Sequence, residues 1–80
     1  MKTHELKILP EYSSEVIKGN KTFEVRRNDR NYSVGDTLVL REFIGNTSTG
    51  RDCRCTVSYI LNHPTYCPKG YVILAIKLHS

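Results

Sequence analysis

The sequence contains no tryptophan, one methionine and two phenylalanines, and it lacks any long run of apolar residues. A membrane-spanning helix needs about 20 mostly apolar residues, and a signal peptide needs an apolar core near its start, so neither is expected. Three cysteines are too few, and odd in number, for the disulfide framework of a small secreted domain. These absences predict a cytoplasmic protein with free thiols and no membrane partner.

Acidic residues are missing from the C-terminal third of the chain. All eight Asp and Glu residues lie at or before Asp52, whereas the segment 53–80 contains the cations Arg54, Lys69 and Lys77. The formal net charge of the whole chain is +4, which is compatible with an anionic partner but far below the charge of a histone-like protein. The charge balance alone leaves a nucleic-acid role and its absence about equally open.

The length of 80 residues allows one domain, 1–80, and is too short for two independent cores, because domains usually run to roughly 100 residues or more. A core of this size leaves no room for a large internal cavity. Any ligand is therefore expected in a surface groove, and the chain is expected to be a monomer.

Hydrophobic periodicity predicts one helix and five strands in the order β-α-β-β-β-β. The predicted strands are 4–9, 22–27, 37–43, 51–61 and 71–78, and the predicted helix is 10–18. Two segments, 44–50 and 62–70, are rich in turn-forming residues and are predicted to be loops. The pattern indicates an α+β fold, and closure of the five strands into a small barrel would leave the fewest exposed strand edges.

Two of the predicted strands carry further expectations about their faces. In the strand 51–61, the residues Cys53, Cys55, Val57 and Tyr59 alternate with polar residues and are predicted to share one face. The last strand, 71–78, is a near-continuous apolar run, which predicts burial on both of its faces.

Cysteine and histidine residues raise the question of a zinc site. Cys53, Cys55, Cys67 and His63 would make a Cys3His set, but zinc knuckles usually place two residues between paired ligands. Buried free thiols are therefore expected, and neither a metal site nor a cofactor is assigned.

The densest group of specific chemistry lies in the segment 19–30, around the predicted strand 22–27. Its polar face holds Thr22, Glu24 and Arg26, and its apolar face holds Phe23 and Val25. A carboxylate between two cations can hold an arginine planar and directed at a phosphate or a base edge. Lys21 and Arg26 are therefore candidate anion contacts, with Glu24 as a reader or orienting group. The alternative is a solvated strand face with a surface Glu–Arg pair.

Three further residues are candidates for the same site. Arg27 and Arg30 follow the strand and would add supporting positive charge. Tyr12, on the predicted helix, is placed to stack against a base.

The residues GNKTFEVR at 19–26 resemble the G-x-K-x-x-E-x-R signature of the ASCH family, a relative of the PUA fold. Its four fixed positions are occupied by Gly19, Lys21, Glu24 and Arg26. The segments YSVGDTLVLREF and GYVILAIKL resemble the strand that follows the signature and the closing strand. The whole chain is similar to a small ASCH-like family of unknown function that is often phage- or prophage-encoded.

The resemblance implies a PUA-like barrel of five or six strands with one or two short helices packed against it. It further implies that the signature residues contact RNA or a nucleotide-like ligand in a cleft between barrel and helix. We therefore predict an RNA- or nucleotide-binding domain, and we expect binding rather than catalysis.

Two other functions stay open. Some ASCH-like proteins resemble acetylcytidine amidohydrolases, which would make Lys21, Thr22 and Glu24 the catalytic candidates. The resemblance also calls for a glutamate on a later strand, and no acid follows Asp52. The third possibility is a phage-type protein that binds a host protein.

A mutational expectation follows from the pattern. Replacing Lys21 and Arg26 together with alanine is predicted to abolish RNA binding while moving the thermal midpoint by only a few degrees.

Overall fold

The computed structural model describes residues 1–79 and contains one helix and five strands in the predicted order. They are β1 (Thr3–Ile8), α1 (Pro10–Ile17), β2 (Phe23–Arg27), β3 (Thr37–Ile44), β4 (Thr47–Leu61) and β5 (Tyr71–Leu78). The α+β class and the number of strands are confirmed. Within these residues, no helix has the length and hydropathy of a membrane span.

Helix α1 begins and ends where its local chemistry dictates. Pro10 occupies the first turn, where its missing N–H is not needed, and Glu11 lies at the positive end of the helix dipole. After the helix, Gly19 adopts φ +83°, a conformation that disfavours residues with a Cβ atom. The backbone N–H groups of Asn20 and Lys21 then donate to the Glu15 carbonyl at 3.0 and 3.1 Å. This turn fixes the backbone of Lys21 against the helix end.

The five strands form one sheet in the order β1-β3-β4-β5-β2. Strands β1 and β3 are parallel, and the other three pairs are antiparallel. The sheet curls into a half-barrel whose two edge strands, β1 and β2, approach each other. The chain passes from β1 through α1 to β2, so the helix lies next to the gap between the two edges.

The core lies between the inner face of the curled sheet and α1. Val16 of the helix packs with apolar side chains from every strand except β2: Leu6, Ile8, Leu38, Leu40, Cys53, Cys55, Val57, Val72, Leu74 and Ile76. The one buried residue of β2, the second of the five in the strand, is not apolar. It is Glu24, which is 3% exposed.

The prediction of a loop at 44–50 is wrong. Strand β3 continues to Ile44, which pairs with Thr47, and the turn between them contains Gly45 at φ +60°. Gly-Asn is a two-residue hairpin signal, and the polar side chains that suggested a loop are compatible with a solvent-exposed antiparallel ribbon. The second predicted loop, 62–70, contains no strand or helix.

The prediction that Tyr59 shares the face of the cysteines is also wrong. Cys53, Cys55 and Val57 are buried on the inner face, but the register of β4 against β5 shifts between Val57 and Tyr59. A bulge adds one residue to a strand, so alternation resumes with the opposite phase. Ile60 therefore packs against the core, and Tyr59 points outward, 63% exposed.

Strand β5 is covered on one face only within residues 1–79. Val72, Leu74 and Ile76 are buried, whereas the alternate residues Tyr71, Ile73 and Ala75 keep partial exposure. The expectation of burial on both faces is thus wrong for the described chain, and an apolar outer surface remains.

Candidate functional site

A cleft of about 650 Å³ opens between helix α1 and the facing edges of the sheet. The end of β1, one side of α1, the turn after the helix and strand β2 all contribute to its wall. Its lining residues are Lys7, Ile8, Leu9, Tyr12, Glu15, Asn20, Lys21, Phe23, Glu24, Val25 and Arg26. Three of the four signature positions, all except Gly19, lie in this lining.

Lys21, Glu24 and Arg26 form an ion cluster at the base of the cleft. The Lys21 ammonium contacts Glu24 Oε1, and Arg26 Nε lies 3.0 Å from Glu24 Oε2. The side chains of Lys21 and Arg26 are only 17% and 22% exposed, and that of Glu24 is 5% exposed. The alternative of a solvated Glu–Arg pair is therefore wrong, because the carboxylate is almost completely removed from water.

The predicted alternation of β2 is confirmed, with an unexpected orientation. Glu24 and Arg26 share the inner face, while Phe23 and Val25 lie on the outer face and are 46% and 48% exposed. Thr22 precedes the strand, is exposed, and does not line the cleft. The polar face of β2 therefore faces inward and its apolar face faces outward.

Arginine side chains bridge the gap between the two edge strands. Because β1 pairs with β3 along one side, the carbonyl groups on its other side have no strand to bond. Arg26 Nη2 donates to the Lys7 carbonyl at 2.6 Å, and Arg30 Nη1 donates to the Glu5 carbonyl at 3.2 Å. Arg26 thus serves two purposes, because it neutralises Glu24 and also closes the sheet edge.

Two aromatic rings lie beside the Lys21 ammonium. Its Nζ atom is 5.1 Å from the centre of the Phe23 ring and 5.8 Å from that of Tyr12, both within cation–π range. Tyr12 and Phe23 are each about half exposed, and both line the cleft. The cleft therefore combines a charged base with flat apolar walls.

The ion cluster leaves hydrogen-bond donors for a ligand. Within residues 1–79, the Lys21 ammonium bonds to Glu24 and to the Phe23 carbonyl at 2.8 Å, which uses two of its three N–H groups. Protein acceptors engage Nε and Nη2 of Arg26, whereas no acceptor within the described part of the chain engages Nη1. Both oxygens of Glu24 already accept bonds, so this residue orients its two neighbours.

The remaining candidates lie outside the cleft. Arg27 is on the outer face of β2, with its guanidinium 5.8 Å from the centre of the Tyr71 ring. Arg30 lies beside β1 at the bridged gap. The structure thus brings together Tyr12, Lys21, Glu24 and Arg26, and it places Arg27, Arg30 and Thr22 elsewhere.

A buried Asp36–His4 pair was missed by sequence reasoning. Asp36 is 1% exposed, and its carboxylate accepts from the backbone N–H groups of Lys2 and Ser33 at 3.1 and 2.9 Å. His4 Nε2 lies 2.8 Å from Asp36 Oδ2. Burial alone would raise the pKa of Asp36, but the hydrogen bonds from His4, Lys2 and Ser33 outweigh it and lower the pKa to about 2. This pair ties the start of β1 to the turn before β3.

Stability is expected to fall in acid because of Asp36. The folded-state pKa of Asp36, about 2, lies below the ordinary value of 3.8. The contribution of the ionised carboxylate to the free energy of unfolding is therefore complete above about pH 5 and is lost as the pH falls toward 2. Urea unfolding at a series of pH values tests this. A free energy of unfolding that stays constant between about pH 5 and pH 2 would contradict it.

A second buried carboxylate, Glu42, links the helix to the sheet. Ser13 of α1 donates to Glu42 Oε1, and Thr49 Oγ1 lies 2.8 Å from Oε2. These bonds hold the pKa of Glu42 below its usual 4.5, with the Ser13 bond the larger cause. A signal existed in the sequence, because Glu42 continues the inner-face alternation of Leu38 and Leu40.

The three cysteines are buried free thiols, as predicted. Burial, and then the neighbouring Cys53, raise the pKa of Cys55 to about 12, and burial also raises the pKa of Cys53. Cys67 donates to the Leu61 carbonyl at 3.3 Å. Across residues 1–79, no three His, Cys, Asp or Glu side chains are grouped to hold a metal ion.

Thiol labelling is expected to require unfolding. At about pH 8, native protein treated with iodoacetamide should leave Cys55 unmodified, because its thiolate is scarce and its sulfur is inaccessible. The same treatment in denaturant should modify all three cysteines, as read by mass spectrometry. Equal labelling rates of Cys55 in the two conditions would contradict the burial.

Comparison with known proteins places this chain among phage-related sequences. Residues 3–76 match the family described as "Domain of unknown function (DUF3850)". A protein of Escherichia phage P2, named "Uncharacterized 12.9 kDa protein in GpA 3'region", is 36% identical over 73 residues. The match covers 91% of this chain and 66% of the phage protein, so the chain spans just under two thirds of its relative's length. The prediction of a phage-related family of unknown function is confirmed.

Proposed function

Because the chain belongs to the DUF3850 family, whose description assigns no activity, we propose its function from its own cleft: the domain binds RNA or a nucleotide-like ligand between the sheet and the helix. One observation carries this proposal. The buried Glu24 carboxylate holds Lys21 and Arg26 at the base of an open cleft. A buried charge is costly unless it is paired, and a purely structural position on β2 would be satisfied by an apolar residue.

The cleft chemistry suits a nucleotide. The rings of Tyr12 and Phe23 offer stacking surfaces for a base, an interaction that contributes about 1–3 kcal/mol per base in single-strand binders. The remaining N–H groups of Lys21 and Arg26 suit a phosphate oxygen or a base carbonyl. Two cationic side chains and one carboxylate give the cluster a formal charge of plus one. This favours a nucleoside, a single phosphate or one nucleotide of a strand over a polyphosphate.

The outlying arginines take secondary roles in this proposal. Arg30 supports the site by bridging β2 to β1, so that the cleft wall keeps its position. Arg27 lies on the outer face of β2, where its positive charge would attract the phosphates of a bound RNA.

We also propose that this family is an ASCH-type branch of the PUA-like superfamily. Support comes from the four signature residues in one turn and strand, the single helix beside a curled five-stranded sheet, and the cleft between them. A closed barrel would require β1 and β2 to pair, and here arginine side chains span that gap.

Acetylcytidine hydrolysis receives less support than binding. Thr22 is exposed and outside the cleft lining, so its hydroxyl is poorly placed to attack a ligand bound beside Glu24. The Lys21 ammonium, its proposed activator, is held by the Glu24 carboxylate. Incubation with acetylcytidine, followed by chromatography for cytidine, tests this alternative. Turnover that disappears on Thr22→Ala would replace the binding proposal with catalysis.

The test of binding is a chemical-shift titration with short RNAs, nucleosides and modified nucleosides. Amide shifts are expected in the turn at 19–21 and in strand β2, with smaller changes near Tyr12. Saturating shifts confined to a different surface, or none with any of these ligands, would overturn the proposed site. A host-protein partner would then be the candidate to pursue.

A further inference from the structure

The outer face of the sheet is divided into a charged half and an apolar half. Over β1, β3 and the start of β4, the outward side chains include charged residues that pair with one another. Arg41 Nε lies 2.5 Å from Glu5 Oε1, and Arg41 Nη1 lies 3.8 Å from Asp52 Oδ2. Over β2, β5 and the end of β4, the outward side chains are mainly apolar. We call these residues the outer patch: Phe23, Val25, Tyr59, Leu61, Ile73 and Ala75.

Strand register makes the outer patch continuous. Ala75 lies opposite Phe23 on one side and Tyr59 on the other, and Ile73 lies between Val25 and Leu61 in the same way. Directly paired residues share a face, so these six side chains form two adjacent rows across three strands. The bulge in β4 is essential, because without the shift Tyr59 would point into the core.

The charges at the border of the outer patch are positive. Arg27 closes one end, beside the Tyr71 ring, and Lys77 continues the outward alternation of β5 at the other. No acidic residue occupies an outward position of β2, β5 or the end of β4, and Asp29 lies beyond the end of β2. Exposed aromatic rings on a sheet with cations at its border suit the bases and phosphates of a single strand.

We propose that the outer patch is a stacking platform for single-stranded RNA, which continues from the cleft across β2, β5 and β4. This inference rests on the proposed function. Phe23 and Val25 belong both to the cleft lining and to the outer patch. An RNA with one nucleotide in the cleft can therefore continue directly onto the platform. The bases stack on Tyr59 within the outer patch and on Tyr71 at its border, and Arg27 and Lys77 contact the phosphates.

The charge distribution favours RNA over a second copy of the chain. In a two-fold dimer through this face, each copy would present the same border cations, Arg27 and Lys77, and no acid on the patch would compensate them. An RNA strand supplies bases that can stack on the exposed rings and phosphates that can pair with the cations at the border.

The test compares Tyr59→Ser with Tyr66→Ser. Both tyrosines are about two-thirds exposed, but Tyr66 lies in the loop at 62–70, outside the outer patch. Fluorescence anisotropy with a single-stranded RNA of about ten nucleotides should show roughly tenfold weaker binding for Tyr59→Ser and an unchanged affinity for Tyr66→Ser. Binding of a nucleoside monophosphate, measured by chemical shift, should be the same in both variants and the wild type.

The outcomes separate this inference from the proposed function. Unchanged RNA affinity in Tyr59→Ser, together with intact mononucleotide binding, would overturn the platform and leave the cleft assignment standing. Failure of the wild type to bind either ligand would overturn both. A wild-type dimer that Tyr59→Ser converts to a monomer in sedimentation, without change in RNA affinity, would make the outer patch a self-association surface and overturn the platform.

Discussion

Replacing Lys21 and Arg26 together with alanine is expected to abolish ligand binding and to lower the free energy of unfolding by about 3 kcal/mol. Both effects have one cause, since these two cations are the partners of the buried Glu24 carboxylate. Removal of one side of a buried ion pair leaves an uncompensated charge. For a domain of this size, the thermal midpoint should fall by roughly 12–24 °C.

The burial of Glu24 replaces the expectation, drawn from the sequence, that the thermal midpoint moves by only a few degrees. That expectation treated the polar face of β2 as solvated. Glu24 is 3% exposed, so its partners contribute to stability as well as to binding. Loss of RNA binding in the double variant is therefore ambiguous by itself.

A triple variant, Lys21→Met, Glu24→Leu and Arg26→Met, provides the matched control. Replacement of a buried ion cluster by apolar residues of similar volume is often neutral or stabilising, so thermal stability should recover. Binding in chemical-shift titrations should stay absent. A triple variant that binds RNA like the wild type would exclude the cleft as the site. A double variant as stable as the wild type would contradict the role given to Glu24.

Asp36→Asn is expected to destabilise the domain by about 2–4 kcal/mol, although the substitution barely changes the shape of the side chain. The two carboxylate oxygens each accept from a different backbone N–H group, Lys2 at Oδ1 and Ser33 at Oδ2, and His4 Nε2 lies beside Oδ2. Asparagine keeps only one oxygen, so at least one of the two backbone N–H groups then faces an amide nitrogen that cannot accept. A buried donor that loses its acceptor lowers the free energy of unfolding by more than the net contribution of the hydrogen bond itself. The start of β1 should loosen first, and with it the edge that Arg26 and Arg30 contact.

Asp52→Asn is the matched control for this change. Asp52 is exposed and lies 3.8 Å from Arg41, so its loss should cost under about 1 kcal/mol. Urea unfolding of the two variants at neutral pH measures the difference. Equal stability of Asp36→Asn and Asp52→Asn would show that the buried carboxylate is dispensable. Asp36→Asn should also weaken the dependence of stability on acid pH.

Local periodicity predicted much of the fold. The apolar run at 71–78 predicted β5 with its observed bounds, and the proline at the start of the helix and the glycine after it bounded α1 within one residue. The hairpin at 44–50 escaped prediction, because its polar composition is shared by loops and by solvent-exposed strands. Pairing with β3 decides between them, and that pairing is not a local property.

The candidate site was predicted in part. Period-two alternation correctly put Glu24 on the same face as Arg26, but it could not say that this face is the inner one. Arg27 and Arg30 seemed part of the same cluster because they are close in sequence. Strand geometry directs Arg27 to the other face of β2. Arg30 contacts the carbonyl of Glu5 in β1, a residue 25 positions earlier in the chain.

The sequence by itself determined the order of the elements, the glycine turn that presents Lys21, and the shared face of Glu24 and Arg26, because each depends on neighbouring residues. The tertiary structure alone decided which face of β2 is covered, that Tyr59 turns outward, and that Asp36 and Glu42 are buried. It also brought β1 and β2 together around the cleft. These features depend on contacts between residues far apart in the chain, and only the folded sheet establishes them.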